Sequence, residues 1–332
     1  MFETVDHFSY TRIDDNNDIP AACDGMIDVA LLDMNHLWPN VGHDAIVLLV
    51  RRLADSMRDQ LDQKSLVVRL LSYDVRRGSR LPDPPNGRFS LYLGTGGPGH
   101  LDPRANDGLS AASQGIAEDP SWEPRLFKLF DDIAAKNRAS LFAVCHTFGI
   151  LCRWSGVARA ILRGEEKGGK SSGIVENVLD PEGLTHPWFS RFSAELSDRR
   201  HHKILDNRLF DLRPEMGKFP QGITALAWDS DPDQDNRGVT MIEFARDSEG
   251  DMPRMFAVNH HPEIIDLPHT MNVLNRKLAR GEVSQEWYDE RAKVFEAQYG
   301  SDDDLVNQLR LTSHYTFVAP IEFQLRRLVT ER

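Results

Sequence analysis

Three short segments contain the residue types and spacings that acyl chemistry needs. In Ser-Leu-Phe-Ala-Val-Cys-His-Thr-Phe-Gly, residues 140 to 149, an apolar run ends at Cys145 and a helical pattern follows at once. A thiol in that position sits on a tight turn at the positive end of a helix, which favours a thiolate and leaves backbone N–H groups free to hold an oxyanion. In Ala-Val-Asn-His-His-Pro-Glu-Ile, residues 257 to 264, His261 and Glu263 flank Pro262. Two residues apart on an extended segment, a base and the carboxylate that orients it can share one side, while Pro262 stiffens the backbone. In Gly-Thr-Gly-Gly-Pro-Gly-His, residues 94 to 100, adjacent glycines permit close backbone approach and can aim an amide N–H at developing negative charge. Together these supply a nucleophile, a base with its orienter, and an oxyanion donor.

The elements that must position them follow from periodicity. Residues 27 to 33, Ile-Asp-Val-Ala-Leu-Leu-Asp, read as a parallel strand buried on both faces, and Gly42 to Gln60 as an amphipathic helix with Ile46, Leu49, Val50 and Leu53 at helical spacing. Strands are expected at 65–74, 89–95 and 140–145, and helices at 122–136 and 146–162. Further strands are expected around 170–180, 222–230 and 238–247, the last two antiparallel across the polar loop 231–237. A strand and loop over 254–264, a charged helical region over 268–299, a break at 301–304 and a terminal helix from Phe317 complete the pattern. Strands alternating with helices predict an α/β fold, a flavodoxin-like doubly wound, mainly parallel sheet with helices on both faces. Ligands in such sheets bind at the carboxyl ends of strands, and all three chemical segments fall at predicted strand ends.

Bulk properties exclude other classes. The chain has 332 residues and a formal charge of -12, with a pI near 5.5. That argues against a nucleic-acid partner, which would need clustered cations. No apolar stretch approaches the ~20 residues of a membrane span, and the opening residues show no basic segment followed by an apolar one, so no membrane association and a cytoplasmic location are expected. Three cysteines, Cys23, Cys145 and Cys152, form no CxxC pair and no disulfide framework. The adjacent pairs His201-His202 and His260-His261 are poorly placed to chelate one ion, so neither a metal nor any other cofactor is expected.

The motifs resemble those of the class I glutamine amidotransferase superfamily, whose members combine a GGPG loop, a strand ending in Cys, and a late His-Pro-Glu. Here these stand as Gly96-Gly97-Pro98-Gly99, Cys145 and His261-Pro262-Glu263, in the same order and across roughly residues 27 to 265. The resemblance implies Cys145 as nucleophile, His261 as base, Glu263 as its orienter, and the N–H groups of Gly97 and His146 as the oxyanion hole. It also implies glutamine or a related amide as substrate and a synthase partner subunit that receives the ammonia. Two positions depart from the pattern: Thr147 stands where the family has Gly, and Gly149 where it has the Gln that contacts glutamine.

A second branch, the homoserine O-acyltransferases, is similar to this chain at Lys170-Ser171-Ser172-Gly173-Ile174, at the closing Ser313-His314, and in the first strand and helix. That similarity implies Lys170 and Arg276 as substrate contacts beside Gly96 and Gly99, with acyl transfer from acyl-CoA to an amino-acid hydroxyl as the alternative reaction. A non-catalytic binding or regulatory subunit is a third reading, motivated by Thr147 and Gly149. A fourth, a cysteine hydrolase using the Cys145-His146 pair, leaves His261 and Glu263 unexplained. The expected organisation is an irregular segment over 1–25, a catalytic domain over 26–267 and a helical extension over 268–332 packed on it. The two terminal segments are candidates for a homodimer contact.

Overall fold

A computed structural model describes residues 5–14, 19–37, 40–164, 169–214, 219–231, 236–264, 267–299 and 303–332. The first half is built from β1 (Phe8–Ile13), β2 (Met26–Asp33), α1 (Val41–Ser56), α2 (Arg58–Gln63), β3 (Val67–Asp74), β4 (Phe89–Gly94), α3 (Trp122–Ala134), β5 (Ser140–Val144) and α4 (His146–Ser155). After them come β6 (Ala158–Leu162), β7 (Ser171–Leu179), α5 (Pro181–Thr185), α6 (Phe189–Glu195), β8 (His201–Arg208), β9 (Phe210–Pro214), β10 (Thr224–Asp229), β11 (Val239–Arg246) and β12 (Pro253–Val258). Four helices end the chain: α7 (Leu267–Ala279), α8 (Gln285–Tyr299), α9 (Asp303–Ser313) and, after a π-helical turn at His314–Val318, α10 (Ala319–Glu331).

The main sheet has ten strands in the order β1-β3-β2-β4-β5-β12-β11-β10-β7-β8. From β1 to β12 neighbours run parallel, and from β12 to β8 they run antiparallel. Numbered by their own succession, β3-β2-β4-β5-β12 follow the order 2-1-3-4-5 of a flavodoxin-like sheet, so the fold is α/β and doubly wound with an antiparallel wing. Its central strands explain the two-sided apolar runs: β5 is buried at every position, because helices cover both faces. One face packs Trp122, Phe130 and Phe148 of α3 and α4. The other packs Ile46 and Val50 of α1 with Ile321 and Leu325 of α10.

Three differences from the sequence reading have local causes. The stretch read as irregular contains β1, which extends the sheet by pairing in parallel with β3 from Phe8 opposite Val68 to Ile13 opposite Tyr73. Its only fully buried side chains are the end residues Phe8 and Ile13, so it carries no alternating apolar pattern. The helix expected over 146–162 stops at Ser155: Gly156 takes the left-handed conformation (φ 67°) and donates its N–H back to Cys152 and Arg153, a helix stop that glycine adopts without strain. Ala158–Leu162 then pairs antiparallel with β9 in a separate two-stranded sheet. Finally, β8 and β9 escaped the sequence reading, since five of the eight residues of β8 are charged or histidine. Of the expected features, residues 1–4 and 15–18 of the amino-terminal segment, 232–235 of the β10–β11 loop and 301–302 of the late break lie outside the described residues. Among the described residues no helix is long and apolar enough to cross a membrane.

Candidate active site

Between β5 and α4 there is a single residue, Cys145, and it makes the turn by taking φ 48° and ψ -102°. A non-glycine residue in that region is uncommon and strained, and it persists only where the surroundings over-determine it. Here they do. The Cys145 N–H donates to the Val258 carbonyl (2.8 Å) and its carbonyl accepts from the Gly149 N–H (3.1 Å). Two residues on, the Thr147 hydroxyl donates to the Thr95 carbonyl at 2.7 Å, tying the first turn of α4 to the end of β4. The half-buried sulfur therefore stands at the amino end of a ten-residue helix, where partial positive charge accumulates.

His261 arrives from β12, the parallel neighbour of β5. Its N–H donates to the Leu205 carbonyl of β8 (2.9 Å), and Ser313 Oγ donates to the Pro262 carbonyl (2.6 Å), which fixes the turn that follows. Nδ1 meets Glu263 Oε1 at 2.8 Å, so the buried carboxylate directs the proton to Nδ1 and leaves Nε2 for chemistry. Nε2 is buried and holds no full hydrogen bond among the described residues. Burial alone would lower the His261 pKa, but Glu263 and then the adjacent Cys145 sulfur outweigh it and push the value well above the ordinary one. Ring and sulfur are brought together around Gly96: a Cβ built there would fall 2.9 Å from His261 Cε1 and 3.4 Å from Cys145 Cβ. A second glycine accommodates the carboxylate. A Cβ on Gly42, in the first turn of α1, would stand 2.6 Å from Glu263 Oε1.

The glycine loop after β4 is held by buried Arg76, whose Nη1 donates to the carbonyls of Met34 (2.9 Å) and Pro98 (2.6 Å) while its other nitrogens pair with Glu118. Gly97 is pressed so closely on β2's exit that a Cβ would lie 2.3 Å from the Met34 carbonyl oxygen. Gly99 turns with φ 84° and donates to Gln114 Oε1 at 2.8 Å. Among the described residues, no backbone or side-chain acceptor takes up the N–H of Gly97 or of His146. Burial, and then Arg76, drive the His146 ring pKa well below its usual value, so the ring is neutral.

These groups border a cavity of about 280 Å³. Of the residues predicted from sequence, Gly97, Gly99, Cys145, His146, Lys170 and His261 line it; Glu263 lies behind the histidine and Gly96 between ring and sulfur. Lys170 is partly desolvated, which lowers its pKa, and the Cys145 sulfur opposes that shift. Arg276 is not among the lining residues. It belongs to the last turn of α7, so the substrate contact expected for it is not part of the cavity; Arg291 of α8 borders it instead. At position 149, where the resemblance implies a Gln, the space a side chain would take is filled by Leu101, whose Cδ1 lies 2.4 Å from where a Cβ would stand, and Leu101 itself lines the cavity. The sequence reading missed Asp206 and Arg208 of β8. Their only sequence signal was an even-numbered row, His202, Ile204, Asp206 and Arg208, all buried in the fold, whose charges resembled a solvated edge. Among the described residues no three His, Cys, Asp or Glu side chains cluster as a metal site would require.

No protein-family model matches the chain, and no curated protein matches it in sequence. Solved structures are similar at low identity. A Thermoplasma acidophilum protein assigned to GMP synthase, as one of its subunits, is 12% identical, with 72% of this chain and 85% of that one covered and a TM-score of 0.40. The glutaminase domain of Trypanosoma brucei CTPS, with bound acivicin, is 10% identical over 74% of this chain and 89% of that one, with a TM-score of 0.44. A ThuA-like protein of Bacteroides uniformis is 11% identical over 81% and 96%, with a TM-score of 0.34.

Proposed function

We propose that this chain is a cysteine-nucleophile acyl-transfer enzyme that opens a small amide through a thioester on Cys145. The observation that carries this reading is the strained Cys145 turn facing the same cavity as a histidine whose other nitrogen is held by a buried carboxylate. The Cys145 sulfur attacks the amide carbonyl, and the electron pair of the C=O bond moves onto oxygen, where the N–H groups of Gly97 and His146 receive it. His261 Nε2 takes the thiol proton and delivers it to the leaving nitrogen as the C–N bond breaks. Water then attacks the thioester, His261 taking its proton and returning it to sulfur, so that one amide and one water give an acid and an amine or ammonia. Every group named belongs to the chain, and the proposed reaction consumes no cofactor. With glutamine as substrate, ammonia would pass to an acceptor on a partner synthase.

Because Leu101 occupies the space beside Gly149, the amide is expected to bind without the side-chain amide contact that the glutamine amidotransferase resemblance implies. The test is intact-protein mass after incubation with glutamine, acetyl-CoA and succinyl-CoA in turn, with Cys145→Ser as control. An adduct from the amide, absent in the serine variant, supports the proposal. An adduct only from an acyl-CoA would replace it with O-acyl transfer. If no carbonyl compound modifies Cys145 and iodoacetamide leaves it untouched near neutral pH, the non-catalytic reading stands instead.

A further inference from the structure

The wall of the cavity formed by β8 carries a carboxylate whose surroundings are unfinished. Asp206 is 1% exposed and lines the cavity with Cys145 and His261. Its Oδ2 accepts from Ser171 Oγ at 2.6 Å and faces Arg208 Nε at 3.3 Å. Its Oδ1 is buried and has no partner among the described residues. A buried carboxylate oxygen left without a donor is costly, and one at the wall of a cavity can be relieved by a donor that a ligand brings. Burial pushes the Asp206 carboxyl above its usual range, more strongly than Arg208 and Ser171 pull it down. A further positive charge is what this site lacks. The neighbouring cation does not remove the deficit, because Arg208 is shared with Asp211 and Asp229 at 3.2 and 3.1 Å.

The same wall offers cations for a second ligand group. Arg208 Nη1 is buried without a partner among the described residues, and Lys170 and Arg291 also border the cavity. The arrangement has opposite polarities side by side next to the reacting sulfur, as recognition of a ligand with separate cationic and anionic ends requires.

We propose that Asp206 is the specificity-determining residue of this cavity, its Oδ1 receiving a primary ammonium group carried by the carbonyl compound that reacts at Cys145. The inference rests on the reading of Cys145 as a nucleophile and extends it to the choice of substrate. Discrimination follows from the burial: an analogue without the ammonium leaves Oδ1 desolvated and unpaired, and sites of that kind reject such analogues strongly.

The experiment compares two chloroketones that differ only in the amine, 2-amino-5-chloro-4-oxopentanoate and 5-chloro-4-oxopentanoate, with iodoacetamide as a probe lacking both ends. In each chloroketone reaction a sulfur–carbon bond forms at Cys145 while the carbon–chlorine bond breaks; chloride leaves with the bonding pair and His261 accepts the thiol proton. In the unmodified protein the aminated probe should label Cys145 at least about tenfold faster than its analogue. In Asp206→Asn that preference should fall to about twofold or less, with the variant's own iodoacetamide rate taken as the measure of its thiol reactivity. Equal rates for the two chloroketones in the unmodified protein would overturn the proposal with no variant needed, and so would a preference that survives in a folded Asp206→Asn. A Cys145 inert to iodoacetamide as well would overturn the nucleophile reading itself, which separates the two failures.

Discussion

At the scale of single residues, the site is organised by what each group is prevented from doing. His261 cannot offer Nδ1 to a substrate because Glu263 holds it at 2.8 Å, and Cys145 cannot relax to an ordinary turn because Val258 and Gly149 pin both of its backbone polar groups. The Nε2–sulfur contact falls short of a full hydrogen bond in the free protein, which is common before substrate tightens a catalytic pair. Replacing Glu263 by Gln preserves the shape and an acceptor for Nδ1–H but removes the charge that outweighs the desolvation of His261. The expected result is a loss on the order of 10²–10⁴-fold in the rate of acylation at Cys145, as for the orienting carboxylate of other triads. Because protonated His261 loses its main support, the limb of the pH–rate profile that reports its deprotonation should move toward acid. Single-turnover acylation of Glu263→Gln across pH 5 to 9 reads both, and an unchanged rate and profile would reduce Glu263 to a packing residue.

At the scale of elements, catalytic groups from β4, β5 and β12 meet because those three strands are adjacent and parallel, so that their carboxyl ends open on one edge. The positions that let them meet are glycines at close approaches, Gly42, Gly96 and Gly97, rather than long loops. The terminal helix contributes from the opposite side: Ile321, Leu325 and Val329 of α10 are buried in the same core as Leu91 of β4 and Val144 of β5. Truncating Leu325, which is 0% exposed, to Ala should cost about 2–5 kcal/mol, seen as a lower urea midpoint. It should leave the iodoacetamide reactivity of Cys145 near that of the parent wherever the variant remains folded. A midpoint unchanged within error would mean that α10 is not part of the cooperative unit.

For the molecule as a whole, buried histidines make stability sensitive to acid. Burial lowers the His202 pKa to about 4, and it holds His260 well below its usual value. A histidine depressed on folding takes up its proton first in the unfolded chain. Its contribution is therefore complete above the ordinary value of 6.5 and is lost as pH falls from there toward about 4. Replacing His202 by Phe keeps an aromatic ring against Phe192, which it meets edge-on at 5.2 Å, and removes the titration. Between pH 7 and 5 the variant should lose about 2 kcal/mol less stability than the parent. Urea denaturation at the two pH values checks this; parallel losses would show that His202 does not titrate differently in the two states.

Periodicity and motif spacing by themselves determined the α/β class, the central strands and the placement of Cys145, Gly97 and His261 at strand ends. These are local properties: a strand buried on both faces needs an unbroken apolar run, and a residue that must turn a strand directly into a helix has few alternatives. Tertiary structure decided what depends on partners distant in the chain. β1 is a strand because β3 offers it an edge, and β8 forms because its charged residues find partners on other strands, Lys203 with Glu176 of β7 and Arg208 with Asp211 of β9 and Asp229 of β10. Arg276 and Arg291, alike as charges on late helices, were separated only by the packing of α7 and α8, which turned one of them to the cavity. Asp206 became visible for the same reason, since an unpaired carboxylate oxygen is a fact about its surroundings, which no single residue's identity records.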